Sequence, residues 1–300
     1  MLTGWIIYSG KAPLEWERAK ENAANAGIKI KMIDPASVEI CLGPDNETAV
    51  YYEGGKLEFP DFLYLCIMKD HHYNALALML EMEKHNIPCV NPKSAVMAAN
   101  DKFLCSQILS KAGLPFPGTV LVNGEESIPA IRDIVGFPAV LKILTGAKGS
   151  GVMMVESEEQ CRSLLQLIHS TAPATPLIAQ EFIKTSIGKD LRVIVVDGKA
   201  IACMCRKSKT KDFRANFSLG GSVEDYPMTD EIKEIGIKAA AALGLRVAGV
   251  DLLFTEKGFT ICEINASPGF AGIESCCPVN VSAEIFKLTM KLVEESRTNS

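Results

Sequence analysis

Apolar and polar positions follow two rhythms along this 300-residue chain. Over the first ninety-odd residues, short apolar runs alternate with stretches of helical spacing. Leu2–Tyr8 predicts a buried strand, Leu14–Ala26 a helix closed by Gly27, and Ile28–Ile33 a second strand ended by Asp34-Pro35. Phe62–Met68 predicts a third strand, Asn74–His85 a helix, and Cys89-Val90 a short strand. That succession predicts a small parallel sheet. The first strand runs into Ser9-Gly10-Lys11-Ala12-Pro13 rather than GxGxxG, so this part need not hold a nucleotide.

Pro88 and Pro92 bracket a boundary. Asn100 is placed to cap a helix over Asp101–Lys111, which ends at Gly113, and Pro115 and Pro117 mark a turn. Beyond Thr119 the pattern becomes strands joined by glycine turns: Val140–Ile143, Val152–Val155, Leu177–Phe182 and Leu191–Val196. Helices are expected at Glu158–His169, Asp230–Leu243 and Ser282–Ser296, with a hairpin over Val250–Ile264. The fold class is therefore a small α/β head on an α+β body.

Composition narrows the function classes. Hydrophobic residues make up 48% and charged residues 22%, enough apolar surface for a large core and too little charge for disorder. The balance of 31 Lys+Arg against 36 Asp+Glu leaves −5, which excludes a polybasic nucleic-acid coat. No apolar run reaches the roughly 18 residues of a membrane span, and Met1–Tyr8 reads as a strand rather than a signal peptide. A soluble, cytoplasmic protein is expected. None of the 10 cysteines falls in a CxxC pair, so they read as small buried hydrophobes kept reduced. The adjacent Cys276-Cys277 has no redox mechanism behind it.

Three segments carry candidate chemistry. In Gly249-Val250-Asp251 and Cys262-Glu263-Ile264-Asn265, a three-residue loop Glu256-Lys257-Gly258 would set Thr255 against Phe259 and Asp251 against Glu263. Glu263 and Asn265 then share a face, and two opposed carboxylates need a positive charge between them. A hard cation such as Mg²⁺ answers that need; so does plain exposure on a half-solvated sheet. Gly146-Ala147-Lys148-Gly149-Ser150-Gly151 joins two strands as a loop whose N–H groups can wrap phosphate, though glycine turns of this kind are also ordinary. Lys142 and Arg192 each interrupt an apolar strand and call for an anionic partner. Lys207–Asn216 is a basic run that reads equally as a solvated loop.

In order, Asp101-Lys102, Leu141-Lys142, the glycine flap, Gln180-Glu181-Phe182-Ile183, Asp190-Leu191-Arg192, Phe213-Arg214-Ala215-Asn216, Gly249-Val250-Asp251 and Glu263-Ile264-Asn265-Ala266-Ser267-Pro268-Gly269 resemble the ATP-grasp superfamily. Within it the chain is most similar to the RimK-like ATP-dependent glutamate and amino-acid ligases, over nearly its whole length. The resemblance implies a pre-ATP-grasp domain at 1–95, a central subdomain with the flap at 96–178, and a C-terminal subdomain with the metal site at 179–300. ATP would lie between the two subdomains. It would be held by Lys102, Lys142, Gly146, Gly149, Ser150 and Gly151, with Gln180, Glu181 and Phe182 at the adenine and Asp190 at the nucleoside.

By the same resemblance Arg214, Ala215 and Asn216 would meet the phosphates, and Arg192, Arg214 and Asn216 the reacting groups. Asp251, Glu263 and Asn265 would carry Mg²⁺ or Mn²⁺, two ions in all. The implied reaction makes an acylphosphate and then an amide, adding glutamate or another amino acid to a carboxylate-bearing small molecule or peptide. Two alternatives are an ATP-binding regulatory module without turnover and an ATP-grasp kinase releasing a phosphorylated product. The resemblance further implies a homo-oligomer. Leu219 stands where ribosome-modifying members carry a basic residue, which argues against a ribosomal-protein acceptor.

Overall fold

The computed structural model describes residues 1–10, 15–45, 47–66, 72–144, 151–209 and 221–298. The head contains β1 (Leu2–Ile7), α1 (Glu15–Asn25), β2 (Ile28–Ile33), β3 (Val38–Leu42), β4 (Thr48–Tyr52), β5 (Gly55–Lys56), β6 (Phe62–Leu65) and α2 (His72–Lys84). α3 (Lys93–Asn100) and α4 (Lys102–Lys111) follow. Strands β2-β1-β6 form the expected parallel sheet. β1 is buried from Gly4 to Ile7, as a strand covered on both faces must be. Gly4 lets the Phe62 ring cross it: a Cβ there would lie 2.0 Å from that ring. α1 buries Trp16, Ala19 and Ala23, one stripe at helical spacing.

Several expectations shift. β6 stops at Leu65, short of Met68, and Cys89 makes only a single bridge to Leu63. β3-β4-β5 form an antiparallel sheet that the pattern did not announce, because of these three strands only Val50 is fully buried. Asn100 is not the cap of α4 but the last residue of the unforeseen α3. The cap is Asp101, whose Oδ1 accepts from Phe103 N at 3.0 Å and Leu104 N at 2.9 Å.

The central lobe holds β7 (Thr119–Val122), α5 (Ile128–Ile134), β8 (Ala139–Ile143), β9 (Val152–Val155), α6 (Glu158–Thr171) and β10 (Leu177–Glu181). Its sheet runs β7-β10-β8-β9 over a core of its own, with Ile131, Ala139, Cys161 and Ala179 fully buried. A division at 178/179 therefore cuts β10; the change of sheet comes between Glu181 and Lys189.

The last sheet is built from β11 (Lys189–Val196), β12 (Lys199–Lys207), β13 (Ser222–Asp225), β14 (Val247–Thr255) and β15 (Gly258–Asn265), in the order β13-β12-β11-β14-β15. α7 (Asp230–Ala242) is capped by Thr229 and covers one face through Ile232, Ala239 and Ala240. α8 (Ala271–Cys276) and α9 (Val281–Thr298) complete the chain. This sheet shares its cores with the head: Leu63, Leu78 and Leu245 lie in one cluster, and Phe62, Ile194 and Phe286 in the other. Head and C-terminal sheet thus form one body, and the central lobe stands against it with a separate core.

No described helix is long and apolar enough to cross a membrane. All 10 cysteines are free, and six of them are buried.

Candidate active site

The β14–β15 hairpin reaches its register by a route different from the expected one. The loop has two residues, Glu256 and Lys257, and Thr255 faces Gly258. A bulge between Asp251 and Leu252 then leaves Cys262 as an extra residue, so Leu252 faces Ile261 while Asp251 faces Glu263. A hairpin without the bulge would have set Asp251 against Cys262 and turned Glu263 off the pair. Gly249 faces Asn265 in the same ladder, so Asp251, Glu263 and Asn265 lie on one face.

The row continues across the sheet. Arg192 on β11 is the ladder partner of Asp251, and its Nε and Nη2 donate to the two carboxylate oxygens at 2.7 Å each. Arg206 on β12 faces Asp190 and donates to its two oxygens at 2.6 and 2.7 Å. The same guanidinium reaches Asp251 Oδ2 at 2.8 Å. Two acids and two arginines form one chain of charge-assisted hydrogen bonds, with Asp190 and Asp251 both buried. Burial lifts the Asp190 carboxyl to about 6, against the pull of Arg206. Asp251 is desolvated more completely, yet two guanidinium groups outweigh that and hold it below the usual carboxylate range.

The turn after β15 is fastened to the head. Asn91 donates to the carbonyls of Val247 (2.7 Å) and Ala266 (2.6 Å), and its Oδ1 accepts from Arg246 N (2.8 Å) and Val247 N (2.9 Å). Ser267 Oγ donates to the Leu65 carbonyl, and Phe270 N donates to Glu15 at 3.3 Å. Pro268 packs on bare backbone, since a Cβ on Gly249 would come 2.7 Å from its Cβ.

The central lobe and α4 each bring a lysine to the same face. Lys142 on β8 donates to Gln180 and stands 3.9 Å from the Cys262 sulfur. Lys102, at the start of α4, donates to the Leu144 carbonyl at 3.2 Å. Burial lowers its pKa and Lys142 adds to the lowering, while Glu263 opposes both. Burial raises the Cys262 thiol, with Lys142 beside it pulling the other way. Gln180 is buried, accepting from Lys142 and donating to Thr119 at 3.1 Å. Glu181 is exposed and accepts from Gly118 N at 3.3 Å, with the half-buried Phe182 next to it.

Lys102, Lys142, Gln180, Asp190, Arg192, Asp251, Glu263 and Asn265 therefore belong to one region, where the central lobe meets the five-stranded sheet. Gly151 sits at the edge of the β8–β9 connection with φ 71°. Gly146, Gly149, Ser150, Arg214, Ala215, Asn216 and Leu219 lie outside the described residues. Sequence reasoning passed over Arg206, although it breaks an apolar strand just as Arg192 does. It also passed over Asn91, which carries no local signal.

Among the described residues no three His, Cys, Asp or Glu side chains are grouped so as to hold a metal ion by themselves. The protein offers a cation two carboxylates and one amide, a partial oxygen shell that suits Mg²⁺ completed by phosphate oxygens and water. The donor types suit the ion, while Asp251 is engaged by both Arg192 and Arg206.

Residues 99–289 match the RimK-like ATP-grasp domain. The chain belongs to the RimK-like ATP-grasp family. A probable alpha-L-glutamate ligase of Pasteurella multocida is 32% identical over 276 residues, covering 90% of this chain and 88% of the relative. One of Maridesulfovibrio salexigens is 30% identical over 296 residues, covering 98% and 97%. An ATP-grasp RimK domain protein from Sphaerobacter thermophilus superposes with TM-score 0.69 at 17% identity, covering 96% of this chain and 98% of that one. The ATP-grasp ligase PsnB, complexed with a precursor variant, Mg and ADP, gives 0.71 at 20% identity, covering 97% and 99%. The ATP-grasp fold thus extends over 96–97% of the chain.

Proposed function

We propose that this protein is an ATP- and Mg²⁺-dependent carboxylate–amine ligase that adds glutamate to a carboxylate-bearing small molecule or peptide. One observation carries the reading: Lys142 of the central lobe and Lys102 at the start of α4 lie against a row of arginines, acids and an amide on the five-stranded sheet. A triphosphate needs cationic side chains on one side and oxygen donors for its metal on the other, and this cleft offers both. The relatives named for alpha-L-glutamate ligase support glutamate as the amino acid. The PsnB complexes, which contain precursor peptides, support a peptide as one class of acceptor.

A carboxylate oxygen of the acceptor attacks the γ-phosphorus of ATP, the bond to the β-phosphate oxygen breaks, and ADP leaves with that electron pair. The amino nitrogen of glutamate then attacks the acyl carbon, inorganic phosphate departs, and the nitrogen loses a proton. Asp251, Glu263 and Asn265 would hold the Mg²⁺ ion, which would supply positive charge to offset that on the transferring phosphoryl group. Lys102 and Lys142 bind phosphate oxygens and offset the repulsion between carboxylate and triphosphate. Arg192 supplies a guanidinium at the reacting end, and the head domain, tied to the Asn265–Gly269 turn by Asn91 and Ser267, fixes the floor of the acceptor side.

The test is ADP release across a panel of amino acids and carboxylates, with mass spectrometry for an adduct of labelled glutamate. Amide product with loss of activity in Glu263→Gln supports the reading. ATP binding without ADP release over the whole panel refutes it.

A further inference from the structure

The assignment of Asp251 to a metal ion meets an obstacle in its own hydrogen bonds. A carboxylate has about four lone-pair sites. Oδ2 receives Arg192 Nη2 at 2.7 Å, Arg206 Nη2 at 2.8 Å and, at 3.5 Å, Asn265 Nδ2. Oδ1 receives Arg192 Nε at 2.7 Å, which leaves it one lone pair beside a full positive charge. A cation approaching Asp251 therefore competes for electron pairs already donated to arginine, and meets like charge as it does so.

The two arginines are held unequally. Arg206 makes three bonds to two carboxylates and its side chain is 5% exposed. Removing it would strand Asp190 as well as loosening Asp251. Among the described residues Arg192 makes its two bonds to Asp251 alone, and its side chain is 16% exposed. Its Cδ passes over Gly249, 3.7 Å from where a Cβ would stand, beside the Pro268 ring that packs on the same bare backbone. The more exposed guanidinium, with one carboxylate partner among the described residues, is the one that can leave.

We propose that Arg192 is an exchangeable counter-ion: it holds Asp251 until the metal ion takes that carboxylate, and it is then released toward the anionic substrates, while Arg206 stays as the fixed strut between Asp190 and Asp251. The exchange keeps Asp251 paired throughout, so a buried carboxylate is never left without a cation. It also delivers a guanidinium to the cleft only when metal is present, which couples charge for the phosphoryl group to loading of the ion. This inference rests on Asp251 being a metal ligand, as proposed above.

Mn²⁺ binding to the full-length protein without nucleotide, followed by electron paramagnetic resonance, tests it. Arg192→Lys keeps the positive charge but cannot bridge both oxygens, so exchange predicts Mn²⁺ affinity about threefold higher, and Arg192→Met about tenfold higher, because a competing charge-assisted pair is removed. If nearby charge were the whole effect, Arg192→Lys would match the wild type, and that result overturns the proposal. A second readout uses the wild-type protein: the Arg192 Nε–H resonance, identified by its loss in Arg192→Lys, should move on addition of Mg²⁺ with a non-hydrolysable ATP analogue, while that of Arg206 stays. A stationary Arg192 resonance also overturns it. Asp251→Asn separates the two readings. Unchanged Mn²⁺ affinity there refutes the metal assignment itself, whereas weakened binding there, with no gain in Arg192→Lys, refutes the exchange alone.

Discussion

Replacing Arg206 with Met removes three charge-assisted hydrogen bonds and keeps a long apolar stem in β12. Asp251 retains its bidentate bond to Arg192, so the carboxylate left exposed to the cost is Asp190. Breaking a buried pair from one side costs about 3–5 kcal/mol when the remaining charge must stay ionised. Asp190 has an escape, because it can take up a proton. Burial already raises it to about 6 with Arg206 in place, and without that partner it must rise further. A carboxyl whose folded pKa exceeds its unfolded value binds more protons folded than unfolded, so it lowers stability as pH climbs through the interval between the two. In the wild type that interval ends near 6; in Arg206→Met it extends higher. The stability difference between the proteins should therefore grow by about 1.4 kcal/mol for each pH unit above 6, until the variant's own pKa is passed. Urea denaturation at pH 5, 6.5 and 8 should give a deficit of about 1–2 kcal/mol at the lowest pH and about 3–4 at the highest. Adding Asp190→Leu should recover most of the loss at pH 8, since an apolar pair of similar volume replaces a buried ion pair at little cost. A deficit that does not change with pH, or a variant as stable as the wild type at pH 8, would refute the account of this chain of charges.

Asn91→Asp keeps an acceptor for Arg246 and Val247 but points a carboxylate oxygen at the carbonyls of Val247 and Ala266; it should cost about 3 kcal/mol in denaturant unfolding, no less than Asn91→Ala. Gly249→Ala forces Pro268 to shift, so melting temperature should fall and Mn²⁺ affinity should drop together; loss of one without the other would separate the turn from the metal site. The Lys102 pKa is lowered, first by burial and then by Lys142, so ATP affinity measured by calorimetry should decline with rising alkalinity at a lower pH than an ordinary lysine would give. Lys102→Arg should remove that dependence, and an unchanged profile in it would assign the titration elsewhere.

Much of this protein could be read from order and spacing. The parallel head follows from apolar runs separated by one amphipathic helix, and β1, β2 and β6 fall where those runs stand. The opposition of Asp251 and Glu263 was also legible, although by cancellation: a loop one residue shorter than expected is offset by one bulged residue, Cys262. Arg192 and Lys142 announced themselves as charges in apolar strands that call for anions: Arg192 has one in Asp251, whereas Lys142 meets the neutral amide oxygen of Gln180. The antiparallel sheet of β3, β4 and β5 gave no comparable signal, because strands that bury so little carry no alternation.

Residue identity and local period by themselves determined which side chains could bear charge, which face of each strand they share, and that a phosphate and a hard cation could be bound; the triphosphate came from the resemblance to a family. Only the tertiary structure decided who neutralises whom. Arg206 meets Asp190 and Asp251 across a distance of 16 and 45 residues, and Asn91 reaches Val247 and Ala266 across 156 and 175. Such pairings are set by strand order and by the docking of the head on the last sheet, and no local rhythm encodes either. A buried charge must find a partner somewhere; which one it finds is a property of the folded chain.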